Sequence, residues 1–494
     1  MPSLRPFLIA SLLLTLPGST AYPQTSAERV LTLEEAVALA LDQGRSAENA
    51  ERGFEAARWR DRAFGARLMP RLALNGNAAD LDRGINAITL PTGETQFVRQ
   101  SQNTSWVELG VIQPLPWTGG EISIGSRLTR IDHFGDDANT QSWQTTPLVI
   151  GFSQGLFRPR ALAWDRREQD LAVTVAERQY LEAREDVAIA TAAAYFDLYA
   201  AQVSVDNAIA NAAVNDTLYT LNTGRYEVGK IGENDLLQSE LALLRSRAAL
   251  DGARLERDRT AATLRRLLRL PADAPIVAVA PATVPAFVID TAIAVAQALR
   301  NVSVIPDGEL QVLRSERQVS EARSSAGFRA DIQASVGFNQ TSPELSSAYE
   351  SPLAKQQFRM QLEMPIVQWG GGRAAVEAAR AEEARALGTA ESRREAAEEE
   401  ARFAALELTQ AQRLLALAAK ADTVAAKRFE VAKNRYVIGK IGINELYIAQ
   451  NEKDQAVESY VRALRGFWAA HYRLRRLTLY DFTQGRPIRA QDRP

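Results

Sequence analysis

The plainest pattern in the chain is a heptad seam. Val187, Thr191, Ala194, Leu198, Ala201, Val205, Ala208 and Ala212 recur at alternating spacings of four and three, which is how a helix packs in a coiled coil. Ala397, Ala401, Ala404, Leu408, Ala411, Leu415 and Ala418 repeat that register 210 residues later. No proline or glycine falls between Trp164 and Thr223, and only Gly388 falls between Arg373 and Arg435. About 62 residues rising about 1.5 Å apiece make a rod of roughly 90 Å, far longer than an ordinary helix of three or four turns. Alanine dominates the seam, so neighbouring backbones approach closely. Ile189, Ala192, Phe196, Tyr199 and Val203 add a second apolar stripe. A helix with two stripes touches neighbours on both sides, as in a layer of helices curled into a tube. An isolated antiparallel coiled coil fits the seam as well.

A second period decides between them. Ile332, Ala334, Val336 and Phe338 alternate with Gln333, Ser335, Gly337 and Asn339, and Phe358, Met360, Leu362 and Met364 alternate with Arg359, Gln361 and Glu363. Period two with one apolar and one polar face predicts strands, and strands of about 10 residues with lipid on one side and water on the other are barrel strands. Segments 72–78, 105–113, 122–131 and 148–154 read similarly. Trp106, Trp117, Trp143, Trp369 and Tyr349 are expected near strand ends, where an interfacial girdle sits.

The two long stretches belong to a duplication. The motif Arg225-Tyr226-Glu227-Val228-Gly229-Lys230-Ile231-Gly232 returns as Arg435-Tyr436-Val437-Ile438-Gly439-Lys440-Ile441-Gly442, an offset of 210. Upstream, Ala36-Val37-Ala38-Leu39 resembles Ala294-Val295-Ala296-Gln297 at an offset of 258, so the first half holds an insertion of 48 residues. Pro114 to Gly120 looks like a tight turn, and its flanks look like an extra strand pair near 114–154. Residues 22–281 are thus a first structural repeat, 282–482 a second and 483–494 a tail. The expected fold is mainly α: duplicated helical hairpins forming an α-barrel, continued by a β-barrel with about four strands from the first half and two from the second. Whether the extra pair widens the barrel or lies outside it stays open. Too few strands to close a wall leave unpaired amides in lipid, so several copies must share one barrel.

Composition adds exclusions. The formal charge is −2 over 494 residues, so nothing marks a nucleic-acid partner. There is no cysteine, which excludes disulfides, thiolate metal sites and a lipidated N-terminal cysteine. Arg5, the apolar run Phe7 to Leu16 and the small residues Ser19 and Ala21 read as a signal peptide over 1–21. Gly224 to Lys230 has the spacing of a phosphate loop, but Ile231 replaces the magnesium-binding hydroxyl and a helix precedes it. His133 and His471 are far apart and form no metal cluster. No catalytic constellation stands out, so an enzyme is not expected, and neither is a cofactor. Glu398, Glu399 and Glu400 read as a solvated helix face.

Taken together, Leu31-Thr32-Leu33-Glu34-Glu35-Ala36, Leu68-Met69-Pro70-Arg71-Leu72, Pro365-Ile366 and the two Arg-Tyr-x-x-Gly turns resemble the TolC-like outer-membrane efflux protein family. The resemblance implies a homotrimer in outer-membrane lipid, extending into the periplasm as the exit duct of a tripartite efflux or secretion system. It also implies two partners, a periplasmic adaptor and an inner-membrane transporter. By that likeness Val228, Gly229, Lys230, Ile438, Gly439 and Lys440 form adaptor-contact turns, while Asp235, Glu445 and Tyr436 are pore-gate residues. Ile441 and Ile448 stand where some members carry a gate arginine and a second acid, which leaves the bonding of the closed gate open, with Lys440 a substitute cation. Independently of the likeness, rings of Asp235 and Glu445 at a constriction would draw cations; alternatively each acid charges the first turn of a helix. The alternative reading of the whole chain is a soluble periplasmic coiled-coil adaptor or scaffold, which predicts one hairpin and no lipid-facing strands.

Overall fold

The computed structural model describes residues 29–89, 91–135, 139–281, 284–285 and 289–489; the expected signal peptide lies outside the described residues. In chain order the elements begin with β1 (Arg29–Leu31), α1 (Leu33–Gln43), α2 (Arg45–Arg67), β2 (Arg71–Asn77) and β3 (Leu81–Thr89). There follow β4 (Thr95–Leu115), β5 (Gly120–Phe134), β6 (Asn139–Leu156), α3 (Ala161–Glu227), α4 (Glu233–Leu267) and β7 (Ile276–Ala278). The second half runs α5 (Thr291–Asn301), α6 (Val304–Ala326), β8 (Arg329–Ser342), β9 (Leu353–Glu363), α7 (Gly371–Val437) and α8 (Ile443–Thr478). The short strands β10 (Tyr480–Asp481) and β11 (Arg486–Pro487) close it.

The duplication is legible element by element. α3 and α7 are each 67 residues long, and both their first and last residues stand 210 positions apart. α1 and α5 are each 11 residues, and α2 and α6 each 23. α7 extends about 100 Å at about 1.5 Å per residue, and Gly388 leaves it unbroken. A helix tolerates one exposed glycine, because the loss of about 1 kcal/mol relative to alanine is spread over many turns. Local signals mark several starts. Thr32 and Glu35 form a reciprocal capping box at the head of α1, with bonds of 3.0 and 3.2 Å. Asp290 caps α5 by accepting from the Ala292 amide at 2.8 Å.

The chain divides into two compact units. The smaller takes in Ala194–Ala282 and the chain up to Ala36; the larger takes in Val37–Ala193 and the chain from Thr283 onward. In the smaller unit β1 and β7 pair in parallel, Val30 opposite Val277. The Tyr195 hydroxyl fixes this ladder: it accepts from the Val279 amide at 3.0 Å and lies 2.9 Å from the Leu31 carbonyl oxygen. Burial pushes the Tyr195 phenol up to about 12, so it stays a proton donor. Phe196, Leu198, Leu264 and Leu268 are buried with it.

In the larger unit α7 packs along α8 and against α5 and α6. The α7 seam is buried at Ala401, Ala404, Leu408 and Leu415 and half-buried at Ala397, Ala411 and Ala418. α8 brings Leu446, Leu464, Phe467 and Leu474 into the interior. Near the end of α8, Arg475 donates to Glu185 at 3.0 Å and Arg476 donates to Asp186 at 3.2 Å, tying it to the first part of α3. The Ser303 amide donates to Glu182 at 2.7 Å, joining the α5–α6 junction to the same helix. The larger unit also holds the sheet on which a membrane reading depends.

Candidate functional site

That sheet runs β2-β4-β5-β6-β8-β9, all neighbours antiparallel. β3 also pairs with β4. β2 meets the later part of β4, residues 106–112, and β3 the earlier part, residues 95–103, so the two share one position in the ladder. The sequence pattern missed β3, because Leu81, Arg83 and Ile85 on one face and Asp82, Gly84 and Asn86 on the other do not alternate cleanly. Its registering signal is polar: Asn86 donates to Gln100 and Gln100 to Gln102, both at 3.0 Å. β4 is accordingly far longer than the 105–113 that its pattern predicts.

Register sorts the sheet into two faces. On one face Leu72, Val111, Ile124, Ile150 and Val336 form a continuous row across five ladder positions. Beside it run Ile122, Phe152, Ala334 and Phe358. Many of these side chains are open to the surroundings: Leu74 is 70% exposed and Phe358 69%. A contiguous apolar face of this extent marks contact with lipid or with another protein. The opposite face carries Ser123, Gly151, Ser335 and Gln357 in one row. It also carries Arg127, 3.6 Å from Glu108 and stacked 4.2 Å over the Trp106 ring.

The next polar-face row is Gly110, Gly125, Val149 and Gly337, with register shifts beside it at Gly125/Arg127 and Thr145/Val149. A Cβ on Gly337 would come 2.3 Å from the Leu148 carbonyl oxygen. Glycines and bulges aligned across adjacent strands bend a sheet. Both ladder ends are open: among the described residues β9 pairs with β8 alone and β2 with β4 alone.

The expected aromatic girdle is corrected in part. Trp117 follows β4 and Trp369 follows β9, the latter 96% exposed, and Tyr349 lies in the β8–β9 connection. Trp106, however, lies within β4 on the polar face, held by Arg127, and Trp143 lies within β6 with Arg130 5.7 Å from its ring. Spacing to the next turn could not reveal this, because the strands run well past the stretches that alternate.

The other candidate residues fall into two sets, one at each hairpin tip. At the α3–α4 tip Gly229 takes φ +70°, its amide bonds the Tyr226 carbonyl at 2.9 Å, and the Lys230 amide bonds the Arg225 carbonyl at 2.8 Å. At the α7–α8 tip Gly439 takes φ +72°, with both corresponding bonds at 2.9 Å. Each is a Schellman turn, in which a left-handed residue lets two orphan helix carbonyls find amides. Val228 and Ile438 are exposed on these turns, as are Lys230 and Lys440. Asp235 and Glu445 occupy the same place, the third residue of α4 and of α8, with Gly232 and Gly442 as N-caps. Asp235 is half-buried and Glu445 exposed. Each acid therefore faces its helix's positive end, whatever further role it has.

The tips differ around their tyrosines: Tyr436 is 5% exposed and Tyr226 42%. Beside Tyr436 stands Tyr447, whose buried hydroxyl has no hydrogen-bond partner among the described residues and whose phenol is pushed up to about 12, by desolvation first. Further along the same hairpin Arg428 pairs with Glu452, and the Lys453 ammonium lies 5.1 Å over the Phe429 ring. The α3–α4 hairpin has its own cross-helix pair, Arg247 to Asp216 at 3.0 Å. Sequence reasoning missed Tyr447, Arg428 and Glu452, since pairing across a hairpin depends on helix phase. A basic residue on one helix about as far from the turn as an acid on the other was the available signal.

No protein-family model matches the sequence, and a search of curated proteins finds no match either. Solved structures do match. The CmeC outer-membrane channel of Campylobacter jejuni aligns with a TM-score of 0.66 at 16% identity, over 93% of this chain and 87% of that one. The outer-membrane protein VceC of Vibrio cholerae aligns with a TM-score of 0.61 at 15% identity, over 90% and 95%. The open state of the MtrE outer-membrane channel of Neisseria gonorrhoeae aligns with a TM-score of 0.60 at 16% identity, over 90% and 88%. The fold is that of the TolC-like outer-membrane channels, and it runs through nearly the whole chain.

Proposed function

We propose that this chain is the outer-membrane exit duct of an efflux or secretion assembly and performs no catalysis. One observation carries the reading: a sheet with an apolar face on one side, a polar face on the other and, among the described residues, both edges unpaired. In water the exposed apolar face is a liability, and in lipid each unpaired edge amide costs several kcal/mol. Copies that join edge to edge remove both problems at once, with apolar rows toward lipid and polar rows lining a water-filled lumen. The resemblance to the TolC-like family implies three copies as the closed number. The soluble adaptor reading predicts a single hairpin without such a sheet, and the two hairpins and the sheet speak against it.

In this reading the helical hairpins continue the duct into the periplasm. The glycine turns at Val228-Gly229-Lys230 and Ile438-Gly439-Lys440 meet a periplasmic adaptor that couples the duct to an inner-membrane transporter. Asp235 and Glu445 place negative charge at the narrowing, Tyr436 packs the closed tip, and adaptor contact rotates the inner helices to open it. Transport through the duct is passive, downhill for the cargo. Two measurements test this. The protein should require detergent for extraction from the outer membrane and run as a trimer; a monomer soluble without detergent would sink the proposal. Asp235→Ala with Glu445→Ala should raise single-channel conductance and weaken cation preference in planar bilayers. Unchanged current and selectivity would remove both acids from the gate.

A further inference from the structure

We infer that the additional strands widen the barrel rather than decorate it, so that three copies close an eighteen-stranded wall. The inference rests on the trimeric reading above. Its basis is the order of the ladder. β4 and β5 lie between β2 and β6 within one continuous hydrogen-bonded path, and no position can be skipped. A strand pair packed outside the wall would leave β2 beside β6. Here Val111 of β4 pairs with Leu72 and with Ile124, and Ile124 of β5 pairs with Ile150. The apolar row crosses the inserted strands without a break, as does the polar row through Gly110 and Gly125. Both inserted strands therefore carry the two-faced character of a wall.

Strand direction supports closure. Six antiparallel positions leave the edges β2 and β9 running in opposite senses, so β9 of one copy meets β2 of the next as a further antiparallel pair. Three copies of six positions give eighteen. Strands about 4.8 Å apart and tilted about 40° close at a backbone radius of about 18 Å for eighteen strands, against about 12 Å for twelve. Barrels of about 16–18 strands enclose an open aqueous channel. Small residues fill the middle of the lumen-facing rows, at Gly110, Gly125, Ser123, Gly151 and Ser335, and charged ones flank them at Glu108, Arg127 and Arg359. The outer segment thus admits bulky hydrophilic solutes, and size selection falls to the helical part of the duct.

The test uses the full chain in bilayers of defined lipid, with single cysteines carrying an environment-sensitive fluorophore. Phe358→Cys on β9 is the reference wall position. Ile124→Cys on β5 and Leu109→Cys on β4 probe the inserted strands, and Ser123→Cys probes the lumen face. Two inserted positions guard against one variant that fails to assemble, and trimer content is checked by native mass measurement. The expected result is quenching by brominated lipid at residues 358, 109 and 124 to a similar degree. Residue 123 should escape lipid quenching and react with a water-soluble thiol reagent. Quenching at 358 with none at 109 and 124 overturns the widened barrel while leaving the duct intact. No lipid quenching anywhere overturns the duct itself, and a mass of two or four copies overturns the count of eighteen.

Discussion

Gly229 and Gly439 show what a single residue does at a hairpin tip. Nothing lies within 4 Å of a Cβ built on either, so alanine there meets no clash and is penalised only by its left-handed backbone, by about 1 kcal/mol. Each Gly→Ala variant should lower the Tm in detergent by a few degrees while leaving trimer yield unchanged. His471 offers a sharper case. It is buried against Phe467 and Trp468, with Arg475 and Asp481 as its charged neighbours, and desolvation first, then Arg475, holds its proton affinity down at about 4. An unfolded histidine binds a proton near pH 6.5, so between about 6.5 and 4 the unfolded chain takes up a proton that the folded one refuses. Stability is therefore lost as pH falls through that window, by up to about 3 kcal/mol. The drop in Tm from pH 7 to pH 5 should be smaller for His471→Phe than for the parent; equal drops would assign the acid sensitivity to other groups. The sequence places His471 on a helix, but it does not say that the imidazole is buried and neutral. That depends on which aromatic neighbours α8 brings around it.

At the scale of the element, periodicity is a strong guide for helices and a weaker one for strands. Of the seven positions that the alternating spacing in α7 picks out, Ala401, Ala404, Leu408 and Leu415 are buried and Ala397, Ala411 and Ala418 half-buried, because a long helix offers many turns over which to read one phase. Ala404→Leu should destabilise by about 1–3 kcal/mol through overpacking of that seam, whereas leucine at the exposed Arg402 should change little. Thermal melts of the two variants compare them directly. Strands gave less away: β3 lacks alternation, and β4 and β6 run beyond the stretches that alternate. Where the register shifts, glycine matters more than pattern. Gly337→Val would push a side chain into the Leu148 carbonyl and the Val149 backbone, breaking the β6–β8 ladder at its bulge. On the proposed duct reading, the expected outcome is loss of assembled trimer from outer-membrane fractions, with the protein recovered instead as aggregate.

For the molecule as a whole, the repeat organises everything else. Two copies of one plan, in register over α3 and α7 and again at the starts of α4 and α8, each supply a hairpin and part of a sheet. The inequality between halves lies in the sheet, where the first half contributes β2 to β6 and the second β8 and β9. On the proposed trimeric reading, mass measurement of the detergent-solubilised protein should return three copies of the chain, whose full sequence weighs 54.2 kDa.

Spacing alone determined the long helices, their alanine seams, the glycine turns and the duplication, because each is written in residues close together along the chain. It determined as well that some strands have one apolar and one polar face. Only the tertiary structure decided the order of those strands, the place of the inserted pair inside the ladder, and the sharing of one position by β2 and β3. It alone decided that Trp106 answers to Arg127 and that Tyr447 stands beside Tyr436. These pairings join residues on separate strands or helices, and hydropathy at one position carries no information about which distant position its backbone amide will meet.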